Sequence, residues 1–319
     1  MATKAVFLDF STMGPGLDLT PLTELAPDLE LFDTTTDEQV GERIRDAEIV
    51  FVNKVRLTPD LLESAAQLRF IGIAATGSDN VDLANARQNG IAVCNIRGYC
   101  TRSVTEHVFG VLLMLTHNLH RYASLVRAGS WQKAPGFCMH DYPVRELSTM
   151  TIGIVGHGVL GRSIAEMARN FDMDVLIAAR PGSTETGENR VGLSELLERA
   201  DVVSLHCPLT EDTQNLLGKN AFAMMKRTAI LINTARGSLV DSAALVDALR
   251  EGQIAAAAID VLPAEPPAGG DPLLDYGGEN LVVTPHIAWS ADCARQNCVD
   301  ELAANLQSFL EGGARNRVA

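Results

Sequence analysis

Six short apolar runs in the second half of the chain, "MTIGIVG", "DVLIAAR", "DVVSLHCP", "AILINTAR", "AAAAIDVL" and "NLVVTPHIA", are separated by helix-like segments such as "GRSIAEMARNF" and "SAALVDALREG". Short runs rich in Val and Ile, without strict alternation, are what strands look like when helices cover both faces of their sheet. Strand and helix in alternation imply parallel pairing, because each return to the same edge needs a crossover. The six runs specify a complete doubly wound unit. A first series, "KAVFLDF", "EIVFVN", "LRFIGIAA" and "GIAVCNI", repeats the pattern with only four or five strands and needs a further segment to complete it. The C-terminal "DCARQNCVDELAANLQSFLEGG" reads as one amphipathic helix ending at paired glycines, able to pack back on that first lobe.

The expected fold class is therefore α/β, with two Rossmann-like doubly wound parallel-sheet domains. Residues 99–289 are expected to form the inserted complete unit, and residues 1–98 with 290–319 a discontinuous, flavodoxin-like first domain. Between the two series, "SVTEHVFGVLLMLTHNLHRYASLV" reads as a helix of about six turns, with Ser103 and Glu106 as a capping box.

A chain of 319 residues with 46% hydrophobic content buries enough surface for two domains. It has no apolar run of 18 residues, and Asp9 interrupts the N-terminal apolar segment, so neither a membrane span nor a signal peptide is expected and a cytoplasmic location is. The net charge of -14 argues against nucleic acid and acidic membranes as partners. An anionic substrate must then be held by a local cluster of cations. Six cysteines without a C-x-x-C pair give neither a disulfide framework nor a zinc site.

Gly156, Gly158 and Gly161 in "GHGVLG" follow one strand and open a helix. G-x-G-x-x-G is weak alone, but this strand-turn-helix setting is what a pyrophosphate needs: glycine lets the backbone approach, and the helix terminus offers free N–H groups. Arg162 follows within the helix. A carboxylate that takes the adenosine ribose hydroxyls of NAD normally ends the next strand, yet Ala179 and Arg180 stand there. An acid would repel a 2'-phosphate, whereas Arg180 with Ser183 and Thr184 would bind one, so NADP(H) is the expected cofactor and NAD(H) the alternative. Arg180 turned to solvent, paired with Glu185 or Glu188, is the competing reading.

Three ionisable residues follow the last three strands of the second block, at the edge where such sheets bind ligands. Arg236 in "NTARGS" can grip a carboxylate through both arms of its guanidinium. His286 in "TPHIAW" can deliver a proton near neutral pH, and Glu265 in "LPAEPP" can fix its tautomer and raise its pKa. A dinucleotide, a carboxylate clamp and an acid/base pair together specify hydride transfer to or from the α-carbon of a 2-oxo or 2-hydroxy acid, with no metal required.

"ATGSDNVDL", "GHGVLG", "HCPLTEDT", "NTARGSLVD", "DVLPAEPP" and "TPHIAW" occur in the order and context of the D-2-hydroxyacid dehydrogenase family, which the chain resembles along nearly its whole length. "VNKVRLT", "FCMHDYPVREL" and "RNRV" look most like its glycerate dehydrogenase (hydroxypyruvate or glyoxylate reductase) branch. The resemblance implies a nucleotide domain inserted in a substrate domain, a cleft between them, and a homodimer formed through the inserted domain. The segment from Trp131 to Met139 would reach the neighbouring subunit.

By the same resemblance Arg236, Glu265 and His286 are catalytic, while Ala75, Thr76 and Gly77 offer backbone N–H groups to the substrate. Lys54 is a candidate second cation and Trp289 a candidate pocket wall. Cofactor contacts are implied for Thr105, Gly156, His157, Gly158, Val159, Leu160, Gly161, Arg162, Ala179, Arg180, Ser183, His206, Cys207, Pro208, Thr213, Thr234, Ala235, Asp260 and His286. The expected activity is NAD(P)H-dependent reduction of hydroxypyruvate or glyoxylate to D-glycerate or glycolate, and the reverse. A dehydrogenase for a bulkier 2-oxoacid, a phosphite dehydrogenase, and a dinucleotide-sensing corepressor-like binding protein are the alternatives.

Overall fold

The computed structural model describes residues 4–180 and 190–319. The chain divides into two compact units, Met1–Cys100 with Ser290–Ala319, and Thr101–Trp289.

The first unit is a five-stranded sheet in the order β2-β1-β3-β4-β5, formed by β1 (Lys4–Phe7), β2 (Asp28–Leu31), β3 (Ile49–Val52), β4 (Phe70–Ile73) and β5 (Ala92–Cys94). Every pairing is parallel. This is the flavodoxin-like order. β1, β3 and β4 are buried throughout or nearly so, as apolar runs covered on both faces must be. The helix Asp292–Leu310 completes the unit: Cys298, Val299, Leu302 and Leu306 join Phe51 and Phe70 in one apolar cluster. Beyond it the chain returns along β5, where Val318 N donates to Val93 O at 2.8 Å and blunts the sheet edge. Sequence reading missed β2. As an edge strand with the exposed acids Asp28 and Glu30, it has no apolar run to betray it.

The second unit is a seven-stranded sheet in the order β12-β11-β10-β9-β6-β7-β8. Its strands are β6 (Thr151–Val155), β7 (Asp174–Ala178), β8 (Arg190–Val191), β9 (Val202–Leu205), β10 (Ile230–Asn233), β11 (Ala256–Ile259) and β12 (Leu281–Val283). All are parallel. Chain order reverses between β6 and β9, and that switch point opens a crevice at the carboxyl ends of the strands.

The long connecting helix is two helices, Thr101–Thr116 and Leu119–Arg127. Asn118 stops the first by adopting a left-handed φ of 50°, which Asn tolerates better than most residues, and its Nδ2 donates to Pro143 O at 2.8 Å. The capping box at Ser103 is not formed, because the helix already begins at Thr101; the Ser103 hydroxyl donates to Ala288 O at 2.6 Å instead.

Candidate active site

β6 delivers the chain into the glycine turn with Gly156 at φ +99°. A Cβ there would lie 2.5 Å from Cys207 N, and one on Gly161 would lie 2.0 Å from Gly156 O. Both glycines are therefore demanded by packing, and they draw His206 and Cys207 beside the turn. At Gly158 a Cβ would meet nothing within 4 Å. Gly158 caps the helix Val159–Asn170 without a side chain, so the first-turn N–H groups at Val159 and Leu160 point to an open approach. Arg162 donates back to His157 O at 3.3 Å.

Burial lowers the pKa of His157, and the guanidiniums of Arg190, Arg162 and Arg169 lower it further. Burial brings His206 down to about 4, so its ring is uncharged at neutral pH. His206 Nε2 meets Ser204 Oγ at 2.8 Å, whereas its Nδ1 and the Thr234 hydroxyl are buried with no hydrogen-bond partner among the described residues. Orphaned polar atoms beside an uncapped helix and an open glycine are what a dinucleotide would satisfy; the residues present fit that group. Thr213 folds the "HCPLTEDT" loop over itself, its hydroxyl donating to Pro208 O at 2.8 Å and accepting from Thr210 N at 2.7 Å. Burial raises the Cys207 thiol.

Arg236, Glu265 and His286 all follow strands at this carboxyl edge. Asn233, fully buried at the end of β10, donates to Arg236 O at 2.9 Å and accepts from Ala235 N at 3.0 Å, which fixes the turn. Gly237 must follow: a Cβ there would stand 2.0 Å from Leu262 C, so the Arg236 turn and the loop leading to Glu265 pack backbone to backbone. The Arg236 side chain donates to Ala235 O at 2.7 Å and has no carboxylate within 4 Å among the described residues. It is not spent on a structural ion pair.

Glu265 Oε1 accepts from Leu262 N at 2.8 Å, and its Oε2 lies 2.5 Å from His286 Nδ1. An ionised carboxylate only accepts, so Nδ1 carries the proton and Nε2 is the nitrogen presented elsewhere. His286 has a φ of 56°, costly for a side chain branched into a ring, by about 1–3 kcal/mol. Asp260 imposes it: its carbonyl takes His286 N at 2.8 Å, Oδ1 takes Ile287 N at 2.9 Å and the Thr284 hydroxyl at 2.5 Å, and Oδ2 takes Ala288 N at 2.9 Å. These bonds occupy the carboxylate that the resemblance sets against a nicotinamide carboxamide, and in this structure its task is to hold the histidine loop.

Other positions divide. Thr105 is 3% exposed, its hydroxyl bonded to Thr101 O at 2.8 Å and Ser163 Oγ at 2.9 Å, so it ties two helices together and offers no free donor to a cofactor. Ala179 directly follows β7, its N–H donating to Val191 O at 2.8 Å, and Arg180 is exposed. Ser183, Thr184, Glu185 and Glu188 lie outside the described residues. Trp289, half-buried, is the last residue of the second unit. In the first unit, the backbone N–H groups of Ala75, Thr76 and Gly77 have no protein acceptor among the described residues, while Asn95 holds the loop by donating to Thr76 O at 2.7 Å. Lys54 is exposed on a loop whose N–H groups, from Asn53 to Val55, all donate to buried Asp9.

The D-isomer specific 2-hydroxyacid dehydrogenase NAD-binding domain matches residues 109–288. A glycerate dehydrogenase of Methylorubrum extorquens is 42% identical over 320 residues, covering 100% of this chain and 99% of the relative. A hydroxypyruvate reductase of Blautia hydrogenotrophica is 38% identical over 322 residues, covering 99% of each. The chain belongs to the D-isomer specific 2-hydroxyacid dehydrogenase family. An acyclic imino acid reductase solved with NADPH and D-Arg shares the fold with a TM-score of 0.87 at 28% identity, covering 99% of this chain and 100% of that one. This dehydrogenase is accordingly an oxidoreductase that uses a nicotinamide dinucleotide.

What sequence reading missed is the set of buried polar residues that hold the loops within each unit. Asp9, Asn53 and Asn95 in the first unit and Asn233 in the second are buried, and each is the first polar residue to close an apolar strand; Asp260, which the resemblance sets against the nicotinamide, stands at the same kind of position. That position is their signal. A polar group that closes such a run sits where the sheet ends and loop N–H groups need acceptors.

Proposed function

We propose that this dehydrogenase reduces a small 2-oxoacid, hydroxypyruvate or glyoxylate, to D-glycerate or glycolate, runs the reverse reaction as well, and prefers NADPH to NADH. The reading rests on the His286–Glu265 pair, 2.5 Å apart, at the same sheet edge as an Arg236 that no carboxylate among the described residues neutralises. The names of the glycerate dehydrogenase and hydroxypyruvate reductase relatives support the substrate class.

Arg236 takes the substrate carboxylate in a two-pronged contact, orienting the neighbouring carbonyl. Nε2–H of His286 gives its proton to the carbonyl oxygen as that oxygen becomes an alkoxide. Glu265, fixed through Leu262 N, keeps Nδ1–H engaged and compensates the ring's charge. When bound, the nicotinamide supplies the hydride to the α-carbon. In the first unit, Lys54 and the N–H groups of Ala75, Thr76 and Gly77 are the proposed substrate-side groups, and in the second, Trp289 is the proposed pocket wall. The glycine turn through Arg162, with Pro208, Thr213, Thr234 and Ala235, is the proposed cofactor bed.

The cofactor preference follows from Ala179 and Arg180 just after β7, neither of which brings a carboxylate against a 2'-phosphate. Arg190, on the adjacent β8, adds positive charge that sequence reading did not count. One or two charge-assisted hydrogen bonds correspond to a kcat/KM for NADPH about 10- to 100-fold above that for NADH. Steady-state rates with both cofactors, on hydroxypyruvate, glyoxylate and phenylpyruvate, test both halves of the proposal. Equal use of NADH, or phenylpyruvate turned over as well as the small acids, would falsify the corresponding half.

We also propose a homodimer. The helix Leu119–Arg127 has no buried residue, and Trp131, Phe137 and Val144 beyond it are exposed, Phe137 by 90%. Exposed large apolar side chains gathered in one segment ask for a cover, and a second copy of the same segment would supply one. Sedimentation equilibrium should give twice the chain mass, and Trp131→Ser with Phe137→Ser should give the single mass. A monomeric wild type would end this proposal.

A further inference from the structure

Among the described residues, three buried side-chain nitrogen or oxygen atoms lack a hydrogen-bond partner. Two of them, His206 Nδ1 and Thr234 Oγ1, lie at the dinucleotide edge of the second unit. The third, His120 Nδ1, lies at the opposite edge of the same sheet, where the reaction makes no demand. It belongs to the lining of a cavity of about 290 Å³ that opens at the amino ends of β10, β11 and β12, beside Ile230, Ala256 and Asn280.

Arg121, Arg145 and Arg227 line this cavity, with Glu279 the one carboxylate. Arg121 Nε is paired with Glu279 Oε2 at 3.1 Å, and its guanidinium stacks over the Tyr142 ring at 3.7 Å. Among the described residues the other two are held only by carbonyls: Arg145 Nη1 donates to Thr228 O at 2.9 Å, and Arg227 Nε donates to Gly252 O at 3.3 Å. Asp201, the carboxylate that acts on Arg145, already accepts from Lys226 Nζ at 3.0 Å and from Thr151 N at 3.0 Å. His120 Nε2 is bonded to Glu279 O at 2.8 Å; a carbonyl only accepts, so Nε2 bears the proton and the orphan is Nδ1. The lining thus carries three guanidiniums against one carboxylate, in a chain whose net charge is -14. A surplus of two positive charges, carried on flat five-donor groups of which Arg145 spends one Nη1 contact and Arg227 its Nε among the described residues, suits a dianion with several acceptor oxygens better than a lone carboxylate.

We propose that this cavity binds a phosphate dianion, either free orthophosphate or the phosphate of a small monoester, at a site separate from the dinucleotide and the substrate. The proposal does not depend on which cofactor or oxoacid the enzyme uses.

The test is isothermal titration of the full chain, saturated with reduced dinucleotide so that the glycine turn is filled, at constant ionic strength in chloride. Orthophosphate and glycerol 2-phosphate are titrated separately. The expected result is one equivalent of orthophosphate per chain, with the Kd raised about tenfold or more by Arg145→Gln with Arg227→Gln. If glycerol 2-phosphate binds with the same dependence on these arginines, the ligand class is the monoester; if it does not, the free ion is the ligand. Arg227→Glu is the second variant. Arg227 is exposed and holds only one carbonyl, so this change folds, and it should weaken binding at least as much. The proposal is overturned by the absence of binding, by equal affinity in wild type and folded variants, or by binding that appears only when the dinucleotide is left out.

Discussion

Replacing His286 with Asn is expected to lower kcat by about 10²- to 10⁴-fold while leaving the Kd of the reduced dinucleotide within about twofold. Proton delivery to the carbonyl oxygen is needed only as charge develops there, so the loss falls on kcat. On a free-energy scale the range corresponds to about 3–5 kcal/mol of transition-state stabilisation. His206 does not substitute, because burial brings it down to about 4 and leaves its ring uncharged at neutral pH; burial and the neighbouring guanidiniums lower His157 as well. The loop itself survives the change. Its geometry depends on backbone bonds from Ile287 and Ala288 to Asp260, not on the ring. Glu265→Gln keeps an acceptor beside Nδ1 but loses the negative charge, and a smaller drop of about 10- to 100-fold in kcat is expected. Fluorescence titration of the dinucleotide beside single-turnover rates separates the two quantities. Near-normal turnover in the His286 variant would remove the acid/base assignment.

The parts of this architecture that were legible in the sequence are those whose signal is local. An apolar run such as Ile152–Val155 reads as a strand because both its faces are covered, and Gly156 to Gly161 read as a turn in which Gly156 and Gly161 each avoid a specific collision. His286, Glu265 and Arg236 could be picked out because strand ends in a doubly wound sheet converge on one edge however far apart they lie in the chain. β2 and β8 could not, since an exposed edge strand and a two-residue strand have no apolar periodicity. Asp9 shows a different kind of opacity. In sequence it merely interrupts an apolar segment, and only the fold reveals that it accepts three successive N–H groups under Lys54. The break at Asn118 was hidden too, because helical periodicity continues across it while the backbone does not.

Replacing Arg236 with Gln is expected to lower kcat/KM for the 2-oxoacid by about 10²- to 10⁴-fold, from the loss of two charge-assisted hydrogen bonds to the carboxylate at about 1.5–3 kcal/mol each. Most of the loss should appear in KM, because the carboxylate carries the same charge in ground and transition states. Part should reach kcat, since a substrate held by one contact instead of two no longer keeps its carbonyl against His286. Stability should change little. The turn is fixed by Asn233 through the main chain of Ala235 and Arg236 and by the close approach at Gly237, none of which involves the guanidinium. With no carboxylate partner among the described residues to strand, its removal leaves no buried charge behind there. Arg236→Lys supplies the discriminating comparison, because it restores the charge without the fork. A fork-dependent site regains only part of the lost kcat/KM with lysine, whereas a site that needs only positive potential regains nearly all of it. An unchanged KM in the Gln variant would instead return Arg236 to a structural role and leave Lys54 and the N–H groups of Ala75, Thr76 and Gly77 to hold the carboxylate.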